Sequence, residues 1–324
     1  MKRKIWIYLL TFLCLIIIGF FVIKDFTIKS IIETLNVTSI TPTTSVCNGK
    51  IIKNGFIFGN KSKVVCGFCW GTAVNPDVIN NKKIICSFMQ FFKGTLTGLT
   101  PNTEYHVRAF AANKIGISYG LDKTFKTQDA VKDYDGNIYP VITIGTQTWM
   151  AQNLRTTHYR NGDPISYVVY YFDPQNYPWE AYANYNDSPA NAIKYGRLYI
   201  SATMLESRNI CPVGWHIPSE TEWNTLINYL GGENFAGGKL KEAGTTDWMS
   251  PNTGAINSIG FNALPGGCRN QGASYIQLGY NAYFWSSTLS SIGWAKAVML
   301  TSTDECIFWR GINTEFYSVR CIKD

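Results

Sequence analysis

Three patterns of apolar and polar positions divide the chain. The first is unbroken: residues Ile5 to Ile23 carry no charged side chain. At about 1.5 Å per residue, such a run nearly spans a hydrocarbon core as a helix. Lys2, Arg3 and Lys4 precede it and Lys24 follows, which keeps the N-terminal flank cytoplasmic. Residues 1–24 are therefore expected to form a transmembrane anchor or signal segment, with the membrane as partner of residues 5–23. No small-x-small cleavage site follows, which favours an anchor over a removed signal peptide. Cys14 offers lipidation as a rival, but Leu13 before it is bulky where such signals take a small residue.

The second pattern follows a stalk expected over residues 25–36. Residues 37–128 read as short β-type runs separated by turns. After the Pro101-Asn102 turn, Tyr105, Val107 and Ala109 alternate with His106 and Arg108, so one face points inward and the other outward. Asn113 to Gly120 reads as a loop and Lys123 to Thr127 as a closing strand. With Gly67-Phe68-Cys69-Trp70, this stretch resembles a fibronectin type III-like β-sandwich. The resemblance implies a fold and no ligand, since such modules are commonly spacers.

The third pattern is helical. Ser219 and Glu222 have the S-x-x-E spacing of a capping box. Trp223, Leu226, Ile227 and Leu230 then recur at i, i+3, i+4 and i+7, and Gly231-Gly232 supplies a stop. Upstream, beyond a brief link at Ala130 to Tyr134, Asp135 to Leu154 predicts a hairpin anchored by Tyr139, Ile142 and Ile144. The Gly-rich stretch Gly231 to Gly238 lacks the Lys-Ser/Thr of a phosphate loop and reads as a loop.

Composition narrows the function classes. The chain has 15% aromatic and 16% charged residues, enough apolar material to bury cores and too few charges for disorder. The net charge of +7 is spent partly on the N-terminal flank, and the remainder is scattered. No basic run or aromatic-basic module suggests nucleic acid. His106, His158 and His216 show no metal-ligand spacing; His106 is expected exposed on its strand, and His216 structural. No G-x-S-x-G, P-loop or H-E-x-x-H motif is present. Asp133-x-Asp135-x-Asn137 has oxygen ligands at alternate positions, but Gly136 is misplaced for a calcium loop and no Glu completes it. A plain turn is the preferred reading. Cys66-x-x-Cys69 is half a zinc site without its other half, so disulfide pairing or buried thiols remain the alternatives there. No cofactor, metal or enzymatic activity is expected.

Beyond residue 133 a set of motifs recurs in one order. It runs D-G-N-x-Y from Asp135, I-G-x-Q-x-W-M-A-x-N-L from Ile144, and Tyr195-Gly196-Arg197-Leu198-Tyr199. Then come Cys211-Pro212-x-Gly214-Trp215-His216-x-Pro218, Leu264-Pro265-Gly266-Gly267-x-Arg269, Phe284-Trp285-Ser286-Ser287 and Ser318-Val319-Arg320-Cys321. Residues 133–324 thus resemble the Fibrobacter succinogenes major paralogous domain, with Cys268 standing where that family usually has an aromatic. The resemblance implies a fold similar to C-type lectin-like and formylglycine-generating-enzyme domains. It does not imply their chemistry, because Cys268, Cys306 and Cys321 lack the spacing of a catalytic pair. The whole chain is thus expected to be multidomain: transmembrane helix, all-β sandwich, then an α+β C-type lectin-like domain.

Lectin-like folds bring their two ends together, which implies a Cys211–Cys321 disulfide; Cys268 and Cys306 form a second expected pair. Both need an oxidising compartment, here the cell envelope outside the cytoplasm. The ring-rich C-terminal third suggests a sugar-binding surface of flat rings and placed polar groups. Its candidates are Trp309, Arg310, Arg269, Asn270, Tyr283 and Trp285. The expected function is non-catalytic binding to a polysaccharide or another envelope protein. A structural envelope role, or an enzyme of unrecognised chemistry, are the alternatives.

Overall fold

The computed structural model describes residues 29–53, 64–79, 81–86, 90–113, 115–169, 179–270, 273–291, 293–311 and 314–324. The expected membrane-spanning stretch, residues 5–23, lies outside them. Among the described residues no helix is long and apolar enough to cross a membrane. The chain divides into two compact units, Met1–Gln128 and Asp129–Asp324.

The first unit is two antiparallel sheets. One contains β1 (Ile31–Thr34), β2 (Thr44–Lys53) and β5 (Phe91–Thr97), in the order β1-β2-β5. The other contains β3 (Val65–Gly71), β4 (Asn81–Cys86), β6 (Glu104–Asn113), β7 (Gly116–Tyr119) and β8 (Lys123–Lys126). Its order is β4-β3-β6-β7, with β8 also on β6. The sheets bury Cys47, Phe68, Leu96, Val107 and Ala109 in one cluster. Tyr105, Val107 and Ala109 face inward as the alternation predicts. At the turn before β6, the Tyr105 hydroxyl accepts the Thr100 N–H at 3.0 Å, a tyrosine corner of the kind such sandwiches use. The fibronectin type III-like reading therefore holds for this unit. Its start does not: β1 falls inside the expected stalk, because Ile32 and Thr34 alternate inward and pair with β2. His106 is not exposed either; its Nδ1 lies 2.8 Å from Asp122 Oδ2 in a half-buried pair.

The second unit begins with β9 (Ala130–Lys132), β10 (Ile138–Ile144) and β11 (Gln147–Met150), then β12 (Ser166–Tyr167) and β13 (Ala181–Ala183). Next come α1 (Pro189–Tyr195), β14 (Leu198–Ile200), α2 (Ser201–Leu205), β15 (Trp215–His216), α3 (Glu220–Tyr229) and α4 (Glu233–Leu240). The remaining strands are β16 (Gly266–Arg269), β17 (Tyr275–Leu278), β18 (Asn281–Leu289), β19 (Ala295–Thr301), β20 (Phe308–Gly311), β21 (Phe316–Ser318) and β22 (Ile322–Lys323). A five-stranded sheet runs β15-β22-β11-β10-β9, and a nine-stranded one runs β12-β13-β14-β21-β18-β19-β20 with β16 and β17 attached.

The predicted hairpin is β10–β11, turning at Gly145. The predicted helix is α3. Its capping box closes in both directions, and Trp223, Leu226 and Ile227 are buried. Those side chains pack on Trp149, Phe261 and Phe284, with ring centroids 4.8–6.1 Å apart. The α+β C-type lectin-like expectation is overturned. Among the described residues strand makes up 42% and helix 12%, and the helices α1 to α4 are short, of five to ten residues. The helix signal at Ser219 marks one ten-residue element.

The Gly-rich stretch is also corrected. Gly237 and Gly238 lie inside α4 and not in a loop. A Cβ on Gly237 would sit 2.5 Å from the Cys306 carbonyl oxygen, and one on Gly238 2.4 Å from that of Gly254. Close backbone approach requires glycine there, at the cost of helix propensity.

Candidate functional site

Two motif segments, at Asn137 and Arg197, and Arg155 directly after a third meet at one cleft. Asn153, after β11, donates from Nδ2 to the Tyr195 carbonyl at 2.8 Å. Its Oδ1 accepts from buried Arg320, from Nε at 3.0 Å and from the second terminal nitrogen at 2.6 Å. Gly196, at φ 84°, passes so close that a Cβ would meet Asn153 Cβ at 2.5 Å. Through that gap the Arg197 N–H reaches the Leu154 carbonyl at 3.0 Å. Arg197 Nε then donates to the Arg155 carbonyl at 2.8 Å. The glycine is what lets Arg155 and Arg197 stand together.

Beside them lies a cleft of about 380 Å³ lined by Asn137, Arg155, Pro189, Ala192, Ile193 and Arg197, within the range of small-molecule sites. The Arg155 guanidinium lies 5.0 Å from the Tyr139 ring centroid, and that of Arg197 4.7 Å from Tyr182. Arg197 also donates to Asn184 Oδ1. Among the described residues neither arginine forms an ion pair. The neighbouring acids are engaged elsewhere. Asp133 accepts from the Asn137 backbone at 2.9 Å, Asn137 Nδ2 at 2.8 Å and the Tyr139 hydroxyl at 2.5 Å. Burial, then Asp133, pushes the Tyr139 phenol far above its ordinary value, so it stays a neutral donor. Asp135 holds Thr157 Oγ1 at 2.9 Å and His158 Nδ1 at 2.5 Å. Burial works upward on its carboxyl, but the Thr157 and His158 bonds hold it below 3.8. The Asp133 to Asn137 segment is thus a turn whose two carboxylates are filled by protein donors.

The sequence-predicted ligand residues do not assemble. Trp285 is fully buried, with its indole N–H on the Tyr199 carbonyl at 2.7 Å. Arg269 is buried against Phe316 and Tyr275, donating to the Val169 carbonyl at 3.2 Å. Tyr283 is buried and stacked on Tyr317 at 4.5 Å. These three are core. Asn270 Oδ1 accepts the Ser274 N–H at 2.9 Å and shapes a turn. Trp309 packs against the α3–α4 cluster with its indole N–H 3.2 Å from Glu233 Oε1. Arg310, exposed, lies 6.0 Å from the Tyr283 ring centroid on the other side of β20.

The Cys211–Cys321 disulfide is present, with Cα atoms 6.0 Å apart. The Cys268–Cys306 pair is not. Cys268 is buried in the cluster around Tyr283 and Tyr317, whereas Cys306 sits by α4, its Sγ 3.6 Å from the Asn234 carbonyl. In the first unit Cys66 is disulfide-bonded and Cys69 is a buried thiol on the Pro76 carbonyl, which removes the zinc half-site. His216 is structural as expected, held between Glu222 and Asp324. Sequence reasoning quoted Arg197 inside a motif without placing it at a cleft, and missed Arg155. The available signal was that two arginines directly follow or occupy motif segments.

The described residues thus form a β-sandwich unit and a strand-rich unit that carries a cleft with two arginines. Residues 142–323 match the Fibrobacter succinogenes major domain, and the chain belongs to that family. No curated protein matches it. Among solved structures, the sensor domain of the anti-sigma factor RsgI4 of Pseudobacteroides cellulosolvens is 19% identical. That match covers 32% of this chain and 97% of the other, at a TM-score of 0.23. The fibronectin type III domain of human KIAA0970 protein is 14% identical, covering 33% of this chain and 79% of its own, at a TM-score of 0.22.

Proposed function

We propose that this is a non-catalytic binding protein that works outside the cytoplasm, with the family domain presenting the Arg155–Arg197 cleft to a polysaccharide of the cell envelope or surface. The cleft carries the reading: a concave site of small-molecule size, with an apolar wall and polar groups delivered by three separate segments. The Cys211–Cys321 disulfide supports an oxidising compartment. Both nitrogens of His216 are taken by carboxylates, so it is not poised as a catalytic base. The sandwich unit serves as a spacer.

The test is a glycan-array and calorimetric screen of the intact chain. Binding that Arg155→Ala lowers while the melting temperature holds supports the reading. Binding that Trp309→Ala abolishes and Arg155→Ala leaves intact moves the site to β20. Silence across the panel by the folded protein rejects a polysaccharide ligand.

A further inference from the structure

We infer that the cleft recognises a carboxylated sugar, a uronate unit, through paired guanidinium contacts from Arg155 and Arg197. This deepens, and rests on, the cleft reading above.

Two arginines stand at one cleft without an ion-pair partner among the described residues, and the adjacent carboxylates of Asp133 and Asp135 are filled by other donors. The two guanidiniums are held differently. Arg197 is fixed by Arg155 O and Asn184 and by the Tyr182 ring, so its orientation is set before a ligand arrives. Arg155 donates to Ile193 O and Ile138 O at 3.3 Å and to Gln152 Oε1 at 3.5 Å. All three exceed the ordinary N–H···O range of about 2.7–3.2 Å. A guanidinium whose bonds are all long is under-satisfied, and a planar carboxylate is the acceptor that matches its fork.

The other lining groups specify what carries that carboxylate. Asn137 spends its amide Nδ2 on Asp133 Oδ2, which leaves its carbonyl end to accept from a hydroxyl. Ile193 is 71% exposed and, with Ala192 and Pro189, offers an apolar wall to C–H groups. A ligand with a carboxylate, a hydroxyl donor and a C–H face is a sugar acid. An Asp or Glu side chain of an acidic peptide supplies the carboxylate without a hydroxyl on the same residue.

The test is calorimetric titration of the intact chain with a short galacturonic acid oligomer, its methyl ester and the neutral galactose oligomer, and with an acidic peptide. The acid oligomer should bind at least about tenfold more tightly than the ester or the neutral sugar, the loss expected when a charge-assisted hydrogen bond is removed. Arg155→Gln should erase that preference. Ile193→Glu, at an exposed helical position that tolerates it, should weaken the acid oligomer by like charge without lowering the melting temperature. Equal affinity for acid and neutral oligomers, both weakened by Arg155→Gln, overturns the uronate inference and leaves the cleft reading standing. Tight peptide binding with the uronate silent overturns the sugar. Acid binding untouched by either substitution, or no binding of any probe, overturns both.

Discussion

His216 shows how two carboxylates set the charge of one ring. Its Nδ1 lies 2.6 Å from Asp324 Oδ1 and its Nε2 2.8 Å from Glu222 Oε1. Burial acts to lower its pKa, but the two carboxylates prevail and raise it above 6.5. Burial acts upward on Glu222, yet the Ser219 N–H and hydroxyl, then His216, bring it below 4.5. The raised histidine contributes stability that is complete below 6.5 and lost as pH rises through its folded value. The lowered carboxyl contributes above 4.5 and loses it as pH falls through its folded value. Stability from this pair therefore peaks between the two unfolded values. Both side chains are about a third exposed, so the effect should not exceed about 1 kcal/mol. Urea unfolding at pH 5.5 and pH 8.5 should show the wild type losing stability at the higher pH and His216→Gln losing none; equal losses would remove the histidine from the explanation. The same residue scale explains what the aromatic pattern hid. Trp285 and Tyr283 look like sugar platforms in a sequence, but a ring's face cannot be told from a core filling until its neighbours, Tyr199 and Tyr317, are known.

At the level of elements, α3 was legible and α4 was not, and the reason is range. The start, stripe and stop of α3 all lie within Ser219 to Gly232, so every signal is local. The helix α4 contains glycines chosen by contacts with residues 305, 306 and 254, which no window around residue 237 contains. An exposed helical Gly→Ala change gains about 1 kcal/mol. Gly237→Ala should instead destabilise, by about 1–3 kcal/mol, because its Cβ meets two backbone carbonyls. Chemical denaturation decides it; a more stable variant would mean that the 305–306 segment yields easily. The cleft was hidden for the same reason, since Arg155 and Arg197 meet only because Gly196 nests against Asn153. The β alternation of Tyr105 to Ala109, being local, was read correctly down to the buried face.

For the molecule as a whole, the strongest tie in the second unit is Cys211–Cys321, spanning a sequence separation of 110. Loop entropy alone gives such a bridge about 4–5 kcal/mol. Cys321→Ser should lower the unfolding free energy of the second unit in the intact protein by that order, read by chemical denaturation. An unchanged midpoint would assign the stability to packing. The α+β C-type lectin-like expectation failed at this scale because it was carried over from a family resemblance, while the many two- to four-residue strands of the second unit carry too few residues each to announce a sheet.

The strand β22 sits between β11 and β15 in the five-stranded sheet, with Trp149 opposite Ile322. Its partner β11 is therefore made long before it. During synthesis, the β10–β11 hairpin must wait with an open edge while the intervening chain emerges. Such a delay gives proteases and chaperones a test of completeness: a product broken off anywhere before Cys321 keeps that edge, lacks the disulfide, and exposes itself for clearance.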